Sequence, residues 1–210
     1  IGEYENALKY CNEALEIRKK VYVDNPINPD IASSLNDIGS VYSSKGEYDK
    51  ALEFFLESYE IRKKVYFDNP DIAESLDNIG RIHLYKGDFT QSQDFYVKSH
   101  YLRKKMYGNG LNHPSRACYF NNIAEIYFYK SDLNRAKKYY EKSCEIYKKV
   151  FVNNPTHPKI SSLHNKIGLV CFKKGDYDEA LKYFQNSYKE RRFFYQNNPN
   201  HPDIANSLIN

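Results

Sequence analysis

Residues 2–22 read GEYENALKYCNEALEIRKKVY, and residues 46–66 read GEYDKALEFFLESYEIRKKVY, so the chain carries two copies of one pattern. Weaker copies begin at Gly87, Ser131 and Gly175, and successive copies lie 44, 41, 44 and 44 residues apart. A period of this length is typical of repeat proteins, whose units pack mainly against their neighbours. The sequence therefore predicts a stack of small units and not a globule around one closed core.

Each unit contains two predicted helices. In the first helix of one unit, apolar residues recur at spacings of four, three and four, which is one face of an α-helix: Ile31, Leu35, Ile38 and Tyr42. Gly46 follows, and glycine readily adopts the left-handed conformation that ends many helices. We expect a second helix from about Glu47 to Tyr66.

The units align at fixed positions. Each first helix opens with a proline: Pro29, Pro70, Pro114, Pro158 and Pro202. Each complete first helix carries a small residue near its middle: Gly39, Gly80, Ala124 and Gly168. Small residues also recur early in the second helices: Ala7, Ala51, Ser92, Ala136 and Ala180. Because small side chains let two helices approach closely, this pattern predicts tight antiparallel pairs.

Three residues depart from the pattern. Ser131 replaces the turn glycine, which should cost about 1 kcal/mol if that residue has a positive φ. Arg116 replaces the isoleucine found at Ile31, and His164 replaces the leucine found at Leu35. We expect the unit that contains Arg116 and Ser131 to be the least regular.

Composition and charge exclude several classes of protein. The chain has 210 residues and a formal net charge of +4, which is too mild to indicate a nucleic-acid-binding protein by itself. No apolar run approaches the roughly 20 residues that a membrane-spanning helix needs, so we expect no membrane insertion. The four cysteines show no paired or knot-like spacing, which favours a reducing, cytoplasmic location.

The pattern of each unit resembles the tetratricopeptide repeat (TPR). The matching features are Gly39 and Tyr42 in the first helix, the Gly-x-Tyr of residues 46–48, and Ala51 and Phe55 in the second helix. The long units here, with HPDIANSL openings and ALEIRKKVY closings, resemble those of kinesin light chains and of nephrocystin-like proteins. The resemblance implies an all-α fold, a right-handed α-solenoid (TPR superhelix) of antiparallel helix pairs with about 42–44 residues per repeat.

We interpret the chain as a single TPR solenoid that begins and ends within a repeat. The predicted complete repeats are residues 29–69, 70–113, 114–157 and 158–201, with partial repeats at residues 1–28 and 202–210. Terminal repeats normally carry polar caps, and none is evident in this sequence. We therefore expect a piece of a longer array, whose uncapped ends allow end-to-end self-association.

The resemblance also implies that the first helices line a concave groove. At one position these helices carry amides and one carboxylate: Asn36, Asp77, Asn121 and Asn165. A carboxamide both donates and accepts hydrogen bonds, so such a row can hold the backbone of a partner peptide. Grooves of the kinesin light chain type use asparagine in this way. The alternative is that these side chains only tie neighbouring helices together.

Besides a row nearer the helix start (Ser33, Glu74, Cys118 and Ser162), two rows further along the first helices belong to the predicted peptide-binding groove. The row one turn later is Ser40, Arg81, Glu125 and Leu169, and the next row includes Leu84, Phe128 and Phe172. Adjacent residues such as Leu84 and Tyr85 cannot both face the core, so we expect some of these side chains to be exposed to a partner. Packing against the neighbouring repeat is the alternative. Arg81 and Glu125 either pair with each other or fix the register of a charged ligand.

No pattern indicates catalysis, a cofactor or a metal. The sequence lacks a phosphate-binding loop, a nucleophile elbow and an HExxH motif, so we predict a chain that is not an enzyme. His113, His157 and His201 each precede a proline one repeat apart, and we interpret them as turn and cap residues. The basic ends of the second helices, such as Arg62-Lys63-Lys64, complement the helix dipole, and we expect no nucleic acid as partner.

The sequence thus predicts a protein–protein interaction scaffold or adaptor, which binds a peptide or helix of a partner in the groove, for example to recruit cargo. The alternative function is a regulatory or recruiting segment of a larger enzyme whose catalytic domain lies outside this sequence. Catalytic motifs beyond either end would distinguish the two.

Overall fold

The computed structural model describes residues 2–108, 110, 112–198 and 201–206, and across these residues the regular structure is entirely helical. The chain divides into two compact units, Ile1–Gly108 and Asn109–Asn210. In each unit, a first helix that opens with proline is followed by a second helix packed against it. This arrangement confirms the predicted all-α stack of helix pairs, while the predicted end of the last partial repeat, 207–210, lies outside the described residues.

Unit 1 contains one second helix followed by two helix pairs. Its helices are α1 (Gly2–Val21), α2 (Pro29–Lys45), α3 (Tyr48–Val65), α4 (Pro70–Tyr85) and α5 (Phe89–Tyr107). Leu15 of α1 is buried with Leu35 and Ile38 of α2 in one apolar cluster. The next cluster joins Phe55 of α3 to Ile79 of α4, so the core passes from pair to pair instead of closing on itself.

Unit 2 repeats this construction. Its helices are α6 (Pro114–Tyr129), α7 (Leu133–Val150), α8 (Pro158–Lys174), α9 (Tyr177–Phe194) and the short α10 (Pro202–Asn206). One apolar cluster runs through α6 to α9 and includes Ala124, Tyr140, Ile167 and Phe184, one from each helix. Neighbouring first helices therefore share a common core with their second helices.

The starts of the first helices are fixed by capping side chains. Asn28 accepts a hydrogen bond from the Asp30 N–H, and proline follows at the first helical position. His113 and His157 cap α6 and α8 in the same way, each accepting a backbone N–H from two residues on. These bonds confirm the interpretation of the repeated histidines as caps.

Close approach within each pair depends on the small residue of the first helix. A Cβ atom on Gly168 would lie 2.6 Å from Cε1 of Phe184, and one on Gly39 would lie 3.0 Å from the ring of Phe55. The missing side chain lets an aromatic ring of the second helix rest on the backbone of the first. The predicted role of these glycines is confirmed.

At three repeat junctions, an arginine near the end of the second helix joins it to the next first helix. Arg62 of α3 donates through Nη1 to the carbonyl oxygen of Asp71 (3.0 Å) and to Oγ of Ser75 (2.8 Å), both in α4. Arg18 makes the equivalent bonds to α2, and Arg191 bonds to α10. Arg62 is only 5% exposed. Arg18, Arg62 and Arg191 therefore anchor neighbouring repeats to each other.

Candidate functional site

The predicted groove residues all belong to the first helices. We call the surface of α2 and α4 the unit 1 face, and the surface of α6 and α8 the unit 2 face. Each face is described within its own unit.

The unit 1 face contains a hydrogen-bonded chain of polar side chains. Nδ2 of Asn78 donates to Oδ1 of Asn36 at 2.9 Å, which connects α4 to α2. Nη2 of Arg81 donates to Oδ1 of Asn78 at 2.7 Å. Asn36 therefore has a structural partner, as the alternative interpretation of the asparagine row expected. One bond does not use up the capacity of a carboxamide, which has two donor hydrogens and two acceptor lone pairs.

Two other predicted residues of the unit 1 face bond within their own repeat. Oδ2 of Asp77 accepts from Nη1 of Arg103 at 2.7 Å, which ties α4 to its second helix α5. Oγ of Ser40 donates to the carbonyl oxygen of Asn36, one turn earlier in α2. Asp77 is thus held by an ion pair, so its carboxylate is already partly neutralised.

The unit 2 face is organised around one lysine. Nζ of Lys166 in α8 donates to Oδ1 of Asn121 at 2.8 Å and forms an ion pair with Glu125, both in α6. Asn121 also donates to Oδ1 of Asn122 at 3.2 Å. Asn165 precedes Lys166 and is partly buried. The result is a polar strip that crosses from one first helix to the next.

Aromatic and apolar side chains lie at the end of the unit 2 face. Nζ of Lys173 lies 4.3 Å from the ring centre of Phe128, in cation–π contact. Phe172 is 53% exposed, and its ring centre lies 5.5 Å from that of Tyr177. Phe128 and Leu169 are partly buried and pack on the core cluster. Only Phe172 of these three presents most of its ring to solvent.

The prediction for Leu84 is wrong. This side chain is 1% exposed and faces the core, whereas its neighbour Tyr85 is 37% exposed. The sequence showed that adjacent residues could not both be buried, but it did not show which one would be. In unit 2 neither of the two adjacent side chains is fully buried: Phe128 is partly buried and Tyr129 is 51% exposed.

Sequence reasoning missed Asn78 and Lys166. Both follow the predicted asparagine row by one residue, and both bond across to the preceding first helix. A polar residue also occupies this position in the other first helices, as Asp37 and Asn122. That recurrence was the available signal. Arg81 and Glu125, for which mutual pairing was one expectation, bond to Asn78 and Lys166 respectively.

A buried polar cluster lies beneath the unit 2 face. Nδ1 of His164 lies 2.9 Å from Oε2 of Glu190, and Nε2 lies 3.5 Å from Sγ of Cys144. Burial lowers the pKa of His164, but the hydrogen bonds to Cys144 and Glu190 outweigh it and raise the pKa to about 9. With its pKa raised to about 9, His164 is mostly imidazolium at neutral pH and donates through Nδ1 to the Glu190 carboxylate.

The described part of the chain contains no group of three or more His, Cys, Asp or Glu side chains that could hold a metal ion. None of the described helices combines the length and apolar character needed to cross a bilayer. The faces offer hydrogen-bonding groups and exposed rings, which is the chemistry of macromolecular recognition.

Solved structures of repeat proteins resemble this chain. The crystal structure of BtubC (BKLC) from P. vanneervenii matches with a TM-score of 0.73 and 16% sequence identity, over 98% of this chain and 80% of that chain. A protein from Podosopora anserina with nearly identical TPR-like repeats, assigned as a kinesin light chain, matches with a TM-score of 0.63 and 16% identity, over 92% of this chain and 89% of that one. MamA matches with a TM-score of 0.55 and 20% identity, over 93% of this chain and 97% of that chain. At these identities the likeness shows the fold alone.

No curated protein sequence matches the chain significantly. The profile of the tetratricopeptide repeat family, in contrast, matches residues 1–64, 30–105 and 71–149. A second tetratricopeptide repeat profile matches residues 161–192. Together with the paired helices, the small contact residues and the repeat-to-repeat core, these matches show that the chain belongs to the tetratricopeptide repeat family.

Proposed function

We propose that this chain is a protein–protein interaction scaffold whose first-helix faces hold a segment of a partner protein. Proteins of this family generally mediate protein–protein interaction and are typically non-enzymatic. The residues proposed to contact the partner on the unit 1 face are Asn36, Ser40, Asp77 and Arg81. Those on the unit 2 face are Asn121, Glu125, Phe128, Asn165, Leu169 and Phe172.

The observation that carries the proposal is the composition of the unit 2 face. A polar strip of Asn121, Lys166 and Glu125 lies on the same first helices as the exposed ring of Phe172. Amides and charges that keep spare hydrogen-bonding capacity suit the backbone of a peptide, and an exposed aromatic ring suits one apolar side chain. Catalysis would instead need convergent acid, base or nucleophilic groups in a closed site.

The proposed ligand is an extended or short helical peptide with one apolar anchor. The anchor would rest on Phe172, beside Phe128 and Lys173. Asn121 and Asn165 would bond the backbone near it. Because backbone contacts are independent of sequence, the anchor would supply most of the selectivity.

Selection from a peptide library on phage tests this proposal with the whole chain. Peptides that bind the parent protein are synthesised and titrated by calorimetry against variants of the unit 2 face. Phe172→Ser should weaken binding about tenfold, since buried aromatic anchors dominate interface energies. Asn121→Ala combined with Asn165→Ala should weaken it as well, with little loss of helicity by circular dichroism.

Asn186→Ala is the matched control, because Asn186 is an exposed asparagine on the second helix α9. The proposed site would be wrong if Asn186→Ala weakened binding as much as Asn121→Ala combined with Asn165→Ala. It would also be wrong if neither that double variant nor Phe172→Ser changed the affinity. Arg81→Ala reports on the unit 1 face in the same assay.

Three finer expectations belong to the same proposal. An adaptor role in recruiting cargo is proposed only from the resemblance to kinesin light chain repeats. A cytoplasmic location is proposed because the four cysteines of the sequence show no paired or knot-like spacing. End-to-end self-association stays a prediction, which light scattering over a range of protein concentrations tests. A role as the recruiting segment of a larger enzyme has no observation in its favour here.

A further inference from the structure

Unit 2 has a surface pocket on the edge between α6 and α7, apart from the residues proposed for the unit 2 face. Three cationic side chains line it, Arg116 from α6 and Lys142 and Lys149 from α7. Phe120 and Ile146 form its apolar part. We call it the α6–α7 basic pocket.

Arg116 is the unusual residue of this pocket. The equivalent residues of the other first helices are isoleucines that are 8% exposed or less: Ile31, Ile72, Ile160 and Ile204. Arg116 is only partly buried, and its guanidinium carbon lies 5.5 Å from the ring centre of Phe120. Replacing a buried isoleucine by arginine gives up apolar burial and places a cation in the lining of the pocket.

A second cation shares the same ring. Nζ of Lys142 lies 5.5 Å from the ring centre of Phe120 and 5.3 Å from that of Tyr139. Lys149 also lines the pocket, and the one carboxylate in its lining is Glu145. Three cations against one carboxylate leave an excess of positive charge. Partial desolvation beside apolar walls strengthens the attraction of such a site for an anion.

We propose that the α6–α7 basic pocket binds the carboxylate side chains of an acidic peptide segment. A glutamate carboxylate would bridge Arg116 and Lys142, and its methylene groups would lie against Phe120 and Ile146. Arginine suits this role because its planar guanidinium can make two parallel hydrogen bonds to one carboxylate.

The same charges would attract a nucleic acid, but the geometry favours a peptide. Single-stranded nucleic acids bind through bases stacked on open aromatic faces. Here Arg116 and Lys142 already lie over the ring of Phe120. The pocket is also small and local, with no continuous basic track defined in its lining.

The test measures fluorescence anisotropy of a fluorescein-labelled oligoglutamate peptide with the whole chain. Binding should exceed that of the matching oligoglutamine peptide and fall as salt is added. Arg116→Ile restores the isoleucine of the other repeats, so it should keep the fold while lowering the affinity about tenfold. Lys142→Gln should act in the same direction.

Lys138→Gln is the matched control, because Lys138 is an exposed lysine of α7 outside the pocket lining and the substitution changes the net charge equally. If the control weakened binding as much as Lys142→Gln, or if Arg116→Ile bound the peptide like the parent, the proposal would be overturned. An oligothymidylate of equal charge is the competitor. If it displaced the peptide, and if its own binding also depended on Arg116, the assignment to a peptide would be overturned. If the Arg116→Ile variant bound the library-selected peptides like the parent, the α6–α7 basic pocket and the unit 2 face would be independent binding sites.

Discussion

At the scale of single residues, the turn residue Ser131 is expected to lower the free energy of unfolding. Its φ is 61°, in the region that glycine occupies at the equivalent turn residues Gly46, Gly87 and Gly175. Ser131→Gly should therefore raise the free energy of unfolding by about 0.5–1 kcal/mol, because the left-handed conformation strains a side chain with a Cβ atom. Urea denaturation followed by circular dichroism measures this. Lys138→Gly, within helix α7, should do the opposite, and a loss of stability in both variants would contradict the account of the turn.

The pair His164 and Glu190 makes stability depend on pH. Hydrogen bonds raise the pKa of His164 to about 9, above its usual value of 6.5. The stabilisation is therefore fully present below about pH 6.5 and is lost as the pH rises through about 9. Between pH 6 and pH 9.5 the free energy of unfolding should fall by on the order of 1–3 kcal/mol from this source.

The matched variant replaces His164 with Leu and Glu190 with Ile, which are the residues at the equivalent positions Leu35 and Ile61. It should lack this part of the pH dependence and should fold stably, since apolar residues often replace buried ion pairs without loss. Urea denaturation at the two pH values compares the proteins. Equal pH profiles for parent and variant would show that His164 does not carry the effect.

At the scale of helices, Arg62 is expected to hold α3 to α4. Its side chain makes two hydrogen bonds across this junction and is buried. Arg62→Ala should lower the free energy of unfolding by about 2–4 kcal/mol, because it removes both bonds and leaves acceptors buried. Lys64→Ala, on the same helix and exposed, should change it by about 0.5 kcal/mol or less. Thermal unfolding of both variants checks this, and similar losses would argue against the anchor.

The contact between α8 and α9 depends on Gly168. A Cβ there would overlap the ring of Phe184, so Gly168→Ala should cost about 1–3 kcal/mol of stability. Adding Phe184→Leu should recover part of the loss, and a double-mutant cycle measures this coupling. Helix α6 already carries Ala124 at the equivalent position, so the helix pairs differ in whether they accept a Cβ atom there. Purely additive effects of the two substitutions would contradict the proposed contact.

The helices and their caps were predictable because the signals are local. The proline at Pro29, the cap at Asn28 and the glycine at Gly46 each act on their own helix. The polar contacts between neighbouring first helices were less predictable. Successive residues of a helix point about 100° apart, so a small difference in helix rotation decides between Asp77 and Asn78, or between Leu84 and Tyr85. Packing of whole pairs sets that rotation.

For the whole molecule, the proposed function depends on a surface of helices and not on a closed cavity. Each unit is a series of helix pairs with a core that passes from pair to pair, and its first helices present a continuous row of side chains. The repeat pattern predicted that such a row exists. The row does not determine the chemistry of a partner, because amides such as Asn121 can form hydrogen bonds with the backbone of many different peptides.

The most direct test of the proposed interaction surface is an NMR titration of the isotope-labelled whole chain with a library-selected peptide. Backbone amide signals of α6 and α8, or of α2 and α4, should shift on binding, with the largest changes near Asn121 and Phe172 if the unit 2 face is the site. Shifts confined to the second helices α3, α5, α7 and α9 would contradict the claim that the first helices hold the partner.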